Sequence, residues 1–289
     1  MGFSLDKDGL LQGEGVEYLP AADKDSGHFS DGLPDMIVIH YTAGSSLGSA
    51  VRTLRDPEVK ASAHMVLGRD GSLKQLVPVN RIAWHAGRSH FESRRGINRY
   101  ALGIELDNAG RLNKIGPEYR SWFGRSYPRQ EVFAGVHQNE TELSYWHAFS
   151  EAQLERAFEL CRFLANHLRI KHIVGHEEIA PGRKSDPGPA FPLSKLRQMI
   201  FEDRGEDVSD TEDTGLPAEP STPESLPRGI VMARKLNFRK GPSVTSDRIG
   251  EPLREGTELE ILEDLSGWLK VRVRQTGWVK KDYISLLQG

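Results

Sequence analysis

The stretch from Gly175 to Phe191, GHEEIAPGRKSDPGPAF, brings an imidazole (His176), an ammonium (Lys184) and a carboxylate (Asp186) within eleven positions of one another. Pro181, Gly182, Pro187, Gly188 and Pro189 punctuate it, which excludes a regular helix and fixes φ at several points. A constrained loop carrying three groups able to bind or polarise is where chemistry is commonly mounted. It offers one or two metal ligands and no nucleophile, so the rest of any site must come from elsewhere in the chain.

His40 closes the apolar run Met36–His40 (MIVIH). A ligand at the end of a rigid strand is well held, and the carboxyl ends of strands in open α/β sheets face ligand crevices. If His40, His176 and Asp186 converge, they form the two-imidazole, one-carboxylate set that leaves zinc an open fourth position. Water in that position has its pKa lowered to about 7. Glu105, in ALGIELDN, is the carboxylate placed to accept a proton. Lys184 is the cation for a developing oxyanion, a donor whose loss typically costs on the order of 3 kcal/mol. The set reads as metal-assisted amide or ester hydrolysis. On spacing alone a bland reading stands level with it: His40 as a hydrogen-bonded core histidine, Asp186 as a turn former before Pro187, and Glu105 in a salt bridge.

The elements that must position these residues follow from patterning. MIVIH is continuous enough to be a strand buried on both faces. Ser62–Leu67 and Leu73–Val77 flank Arg69-Asp70-Gly71, a hairpin signal. Ala101–Leu106 is a further short strand, and Ile170–Val174 another. Ser150-Glu151-Ala152-Gln153 is a capping box opening an amphipathic helix to about Arg169, with Cys161 on its apolar face. Pro192–Phe201 is a closing helix. Strands interleaved with helices make an α/β domain, residues 1–203, with a central sheet. Leu112 to His147 has no clear period and is expected to be a functional surface excursion. His137 and His147 fall inside it, either lining a cleft or solvated.

The chain has 289 residues, 37% of them hydrophobic and 27% charged, with a net charge of −3. That length accommodates two domains, and nothing in the balance points to nucleic acid. No apolar run approaches the length needed to span a bilayer. The N-terminus has no basic region followed by an apolar core, so a secretory signal peptide is not expected. One cysteine excludes an internal disulfide framework. Residues 204–228 are acidic and rich in Pro, Ser and Thr, as expected of an extended linker. Residues 229–289 are different. Leu269, Val271 and Val273 alternate with Lys270, Arg272 and Arg274, and Gly-bounded short segments predict a small all-β barrel that serves as a binding module.

MIVIHYTAG, AHMVLGRDGSLKQLVP, AWHAG, ALGIELDN and GHEEIAPGRKSDPGPAF occur in an order that resembles the zinc-dependent N-acetylmuramoyl-L-alanine amidases of the amidase type 2 family. That family also includes peptidoglycan recognition proteins and some phage lysins. The resemblance covers about Val16 to Phe201. It implies a mixed central sheet flanked by helices, and hydrolysis of the amide joining the lactyl group of N-acetylmuramic acid to L-alanine of the stem peptide. It implies zinc held by His40, His176 and Asp186, with Glu105 as catalytic carboxylate and Lys184 as oxyanion partner. Some relatives have a cysteine at the third ligand position and a tyrosine before the histidine of the AH motif. Asp186 and Ala63 stand there in this chain. Trp84, His85, Asn108 and Arg183 are expected to contact substrate, and His64 and His172 to be structural.

LNFRKGPS and the steps Gly267-Trp268 and Gly277-Trp278 are similar to bacterial SH3-like domains, which implies a cell-wall ligand. The expected partner is therefore peptidoglycan. The expected route is synthesis in the cytoplasm and release to the wall, with a cytoplasmic enzyme that trims recycled muropeptides as the alternative. A non-catalytic peptidoglycan sensor is a further rival, disfavoured by the intact set of three ligands.

Overall fold

A computed structural model describes residues 2–201, 228–231, 235–242, 246–265, 268–273, 276–280 and 284–287. The chain divides into two compact units, Met1–Ile200 and Phe201–Gly289.

The first unit is built on a six-stranded mixed sheet. Its strand order is His172–Gly175, Met36–Tyr41, Ala101–Leu106, Met65–Leu67, Leu73–Gln75 and Val16–Tyr18. The first four run parallel, and the Met65–Leu67/Leu73–Gln75 pair is antiparallel. Met36, Ile37, Val38 and Ile39 are all fully buried, because a central parallel strand is covered on both faces. Each such side chain contributes about 1.5–3 kcal/mol of transfer free energy. The Arg69-Asp70-Gly71 turn closes the antiparallel pair, with Gly71 at φ +85° and the Gly68 N–H donating to Ser72 O at 2.8 Å.

The helix Glu151–His167 starts where the capping residue sets it, since the Ser150 hydroxyl accepts the Gln153 N–H at 3.2 Å. The reciprocal half of the expected box is replaced. The Gln153 side chain is fully buried, and its amide donates to Leu67 O and Asp107 O at the ends of two sheet strands. Cys161 lies in the core, where burial pushes its thiol up to about 12.

The segment read as aperiodic is structured. Residues Arg111–Ile115, Glu118–Arg120, Ser126–Tyr127, Val132–Val136 and Leu143–His147 form a second, five-stranded antiparallel sheet. Its strands are short and few of its residues face a core on alternate positions, so a period-2 signal never accumulated.

In the second unit, strands Arg228–Val231, Glu258–Leu265, Trp268–Arg272, Thr276–Lys280 and Ile284–Leu287 form an antiparallel sheet, and Lys235–Leu236 pairs with Leu253–Arg254. Leu269 and Val271 are buried with Val231, Leu236, Phe238, Leu259 and Ile261, while Arg272 is exposed, as the alternation predicts. Trp268 is a core residue. The expected acidic linker lies almost wholly outside the described residues.

Candidate functional site

Three side chains separated by up to 146 residues meet at the carboxyl end of the sheet. His40 is delivered by the second-last residue of its strand. His176 opens the short helix His176–Ile179 immediately after the neighbouring parallel strand, and Asp186 lies in the proline-punctuated loop that follows. His40 Nδ1 lies 2.9 Å from His176 Nδ1 and 3.0 Å from Asp186 Oδ2, and His176 Nδ1 lies 2.9 Å from the same oxygen. All three residues are buried.

The hydrogen-bond partners fix which ring nitrogens carry protons. His85 Nε2 faces the Ala101 carbonyl at 3.0 Å and must donate to it. Its Nδ1 is then an acceptor, and His40 Nε2–H donates to it at 3.0 Å. His176 Nε2 donates to the Ala86 carbonyl at 3.1 Å. Both His40 and His176 therefore turn a bare Nδ1 lone pair toward the Asp186 carboxylate. Burial, and then the neighbouring His176, lower the His40 pKa to about 4, so the ring is neutral at physiological pH. Burial pulls the Asp186 carboxyl upward, and hydrogen bonds and positive charge from His176 and His40 hold it well below the usual carboxylate range only while an imidazole carries a proton; with both Nδ1 atoms bare, a cation must take over that role. Three lone-pair donors within about 3 Å, with no proton between them, repel unless a cation joins them. The donor set suits a divalent metal of intermediate softness.

Behind the ligands stands a column of histidines. Gly103 N–H donates to His64 Nδ1 at 2.9 Å and His64 Nε2 donates to Arg81 O at 2.8 Å, fixing His64 next to the His85 ring. The His85 ring lies so close over the Ala101–Leu106 strand that a Cβ on Gly103 would come within 2.3 Å of it. Only glycine fits there. The AWHAG loop thus supplies, through His85 and Ala86 O, the orientation of both candidate imidazole donors.

Glu105 pairs in parallel register with His40, one strand away. Paired residues on adjacent strands project to the same face with backbones about 4.8 Å apart. One carboxyl oxygen of Glu105 is buried without a hydrogen-bond partner. Burial, reinforced by the Asp186 charge and offset by Lys184, pushes Glu105 up to about 8. Lys184 is exposed on the loop and acts electrostatically on both Glu105 and His40.

Two of the residues expected to contact substrate, His85 and Asn108, have their side-chain polar atoms engaged within the fold. Both ring nitrogens of His85 are engaged internally, one with His40 Nε2 and the other with Ala101 O. Asn108 is 1% exposed, with its amide donating to His147 O and its oxygen accepting the Gly110 N–H. No polar atom of its side chain is left over. Trp84 is half-buried at the rim, its indole N–H on Ser26 Oγ at 2.7 Å. Arg183 stays exposed while one guanidinium nitrogen bridges Ala86 O and Arg88 O at 2.9 and 2.8 Å, tying the ligand loop to the AWHAG loop. His137 and His147 are both buried, so neither is a solvated loop residue. Sequence reasoning missed Tyr41, whose hydroxyl meets Ser185 Oγ at 2.8 Å, and Glu177, whose acidic character beside His176 was the available signal.

A mixed α/β sheet that gathers two imidazoles and a carboxylate next to a carboxyl with one buried, unpartnered oxygen has the frame of a metal-assisted hydrolase. Comparison narrows that class. Residues 30–189 match the N-acetylmuramoyl-L-alanine amidase family, and the chain belongs to that family. Residues 234–285 match the bacterial SH3 domain. The chain is 31% identical over 173 residues to the N-acetylmuramoyl-L-alanine amidase AmiD of Escherichia coli, covering 57% of this chain and 52% of that protein. It is 29% identical over 144 residues to the 1,6-anhydro-N-acetylmuramyl-L-alanine amidase AmpD of the same organism, covering 49% of this chain and 60% of that protein. The matched stretch is thus little more than half the length of these relatives. A crystal structure of AmpD is similar at 25% identity and a TM-score of 0.49, covering 68% of this chain and 99% of that one.

Proposed function

We propose that the chain hydrolyses the amide between N-acetylmuramic acid and L-alanine in peptidoglycan, with zinc held by His40, His176 and Asp186. The observation that carries this reading is the convergence of two bare Nδ1 lone pairs on one carboxylate oxygen within 3.0 Å. Zinc bound there supplies Lewis acidity, which makes water nucleophilic at neutral pH. Glu105 accepts the proton at its unpartnered oxygen and returns it to the leaving amine. Glu105, near 8 in the metal-free protein, would be drawn toward neutrality by a cation held at the three donors, where a base is most effective. Lys184 brings a second positive charge to the same spot and steadies the oxyanion. His85 and Ala86 O hold the imidazoles in the tautomers that binding requires.

Family membership and the intact ligand set support an enzyme over a non-catalytic sensor. The bacterial SH3 match supports intact wall as substrate, while the AmpD likeness keeps soluble 1,6-anhydro muropeptides as the second candidate. Among the described residues no helix is long and apolar enough to cross a membrane. Digestion of purified peptidoglycan followed by mass analysis tests the reading. The expected products are free stem peptides and intact glycan strands, abolished by chelator and by His176→Ala. New reducing ends on the glycan would refute it. Rates on walls against rates on soluble anhydro muropeptide separate the two substrates.

A further inference from the structure

The second antiparallel sheet reaches the candidate metal centre through one buried pair. His137 follows the Val132–Val136 strand and is 2% exposed. Its Nδ1 accepts the Asn139 N–H at 3.2 Å, so its Nε2 carries the proton and donates it to Glu177 Oε2 at 2.7 Å. The His137 ring lies nearly parallel to Trp146 of the adjacent strand, at 5.6 Å and 21°.

Glu177 lies outside the candidate donor set of His40, His176 and Asp186. It closes the loop that carries Asp186. Its backbone N–H donates to the Asp186 carbonyl at 2.9 Å, and Oε2 accepts the Gly188 N–H at 3.0 Å. One residue therefore grips the loop on both sides of Pro187. Gly188 sits at φ +70° against the Trp146 ring, where a Cβ would come within 2.8 Å. The loop is pinned from above by Glu177 and from below by Trp146, and His137 joins the two. Asn139 adds a contact to Glu177 O at 3.3 Å.

We infer that His137 and Glu177 are positioning residues. They act as a clamp, anchored in the second antiparallel sheet, that presets the Asp186 loop for a divalent metal before the metal arrives. The inference rests on the metal reading above. The clamp explains why a residue adjacent to His176 is a carboxylate: a buried acceptor is required for two converging N–H groups, and an orphaned one would be costly. It also gives the excursion a task in the site without placing any of its residues on a ligand.

The test is zinc affinity of the full chain, read by competition with a chromophoric chelator, in His137→Phe, Glu177→Leu, the double variant and His137→Gln. Phenylalanine keeps the ring against Trp146 and removes the donor; glutamine restores an N–H. Loss of support behind a metal ligand typically weakens binding 10–100-fold. Each disruptive single variant should therefore lose about tenfold or more. The double variant should be no weaker than the poorer single, because both break the same clamp. His137→Gln should recover to within about threefold. A merely structural pair would lower the melting temperature and leave zinc affinity within twofold, which overturns the inference, as do additive losses. Should the disruptive variants not fold, hydrogen exchange of the Gly188 amide in the metal-free parent decides. Protection in the absence of zinc supports a preset loop, and exchange at the rate of exposed amides overturns it. A parent chain that binds no zinc refutes the metal reading itself, a result distinct from a parent that binds and variants that bind equally.

Discussion

Replacing His85 with phenylalanine separates two roles that the sequence alone could not. A histidine in the AWHAG loop reads as a substrate contact, yet the structure sets its Nδ1 at 3.0 Å from His40 Nε2 and its Nε2 on Ala101 O. Phenylalanine retains a flat ring over Gly103 and leaves the His40 Nε2–H without an acceptor. Leaving a buried donor unpaired costs about 1–3 kcal/mol. His40 can escape that cost by moving its proton to Nδ1, but then it presents N–H where a lone pair is required. Metal binding would have to reverse the shift, so the same 1–3 kcal/mol appears as a loss of roughly 5–150-fold in affinity. The independent range for mutations behind metal ligands, about 10–100-fold, overlaps it.

The assay is chelator competition on the full chain, paired with kinetics at saturating zinc. The expected result is weakened zinc binding, with a normal KM once metal is saturating. His85→Gln should fall between the parent and His85→Phe, since its carbonyl oxygen can still accept from His40. If His85→Phe binds zinc within twofold of the parent and instead raises KM, then His85 meets substrate and the tautomer argument fails.

Gly103→Ala pushes a Cβ to 2.3 Å from the His85 ring. Overpacking of this kind costs about 1–3 kcal/mol, so a thermal melt should drop by several degrees and zinc affinity should fall with it; an unchanged melt would mean the ring relocates freely. Lys184→Met removes the positive charge that holds Glu105 down. The acid limb of the pH–rate profile should move to higher pH and kcat should fall on the order of 10²–10³; an unmoved limb excludes coupling of the two residues. For the metal-free protein, buried His40 and His64 have pKa values near 4, below their unfolded 6.5. The unfolded chain therefore takes up protons first, and stability falls as pH drops from 6.5 toward 4. Glu105, raised to about 8, works in the opposite sense: its contribution is complete below 4.5 and is lost as pH rises through 8, at up to about 1.4 kcal/mol per pH unit. Urea midpoints after chelation should peak near pH 6.5, and Glu105→Gln should flatten the alkaline side. A midpoint that does not vary with pH from 4 to 8 would contradict neutral burial.

The strands that hold the site were readable because their burial is two-sided. Met36–His40 and Ala101–Leu106 are largely apolar runs, and in the strands they form, Met36–Tyr41 and Ala101–Leu106, the polar residue that matters is second-last. The loop was readable for another reason, since its prolines and glycines exclude the alternatives to a turn. What the sequence did not show was placement decided by register or by backbone carbonyls, even where, as at Glu105, a role was expected from the motif. Glu105 lies beside His40 because the strands pair at that register, and nothing in either strand's composition specifies it. His85 looks the same in sequence whether its nitrogens face Ala101 O or a substrate. Asn108 is engaged similarly, because its partners are main-chain groups: His147 O from the second sheet and the Gly110 N–H of its own turn.

That second sheet is where sequence and structure part furthest, and the reason bears on how the site is built. A segment that packs on the main sheet declares itself by a repeating apolar face. Arg111–His147 instead contributes single anchoring side chains: Trp146 beneath Gly188, His137 onto Glu177, and His147 through its Nδ1 to Ala109 N–H at 3.1 Å. Isolated contacts leave no period, however deeply they are buried. Yet they bear on the two parts of the centre that the main sheet cannot hold by itself, the Asp186 loop and the turn after Glu105. The ligand strand fixes His40 through the core packing common to any parallel sheet. Asp186 has no such strand under it; its loop is held by the Glu177 N–H on the Asp186 carbonyl and by Glu177 Oε2 on the Gly188 N–H, and the second sheet bears on it one step removed, through His137 on Glu177 and Trp146 against Gly188.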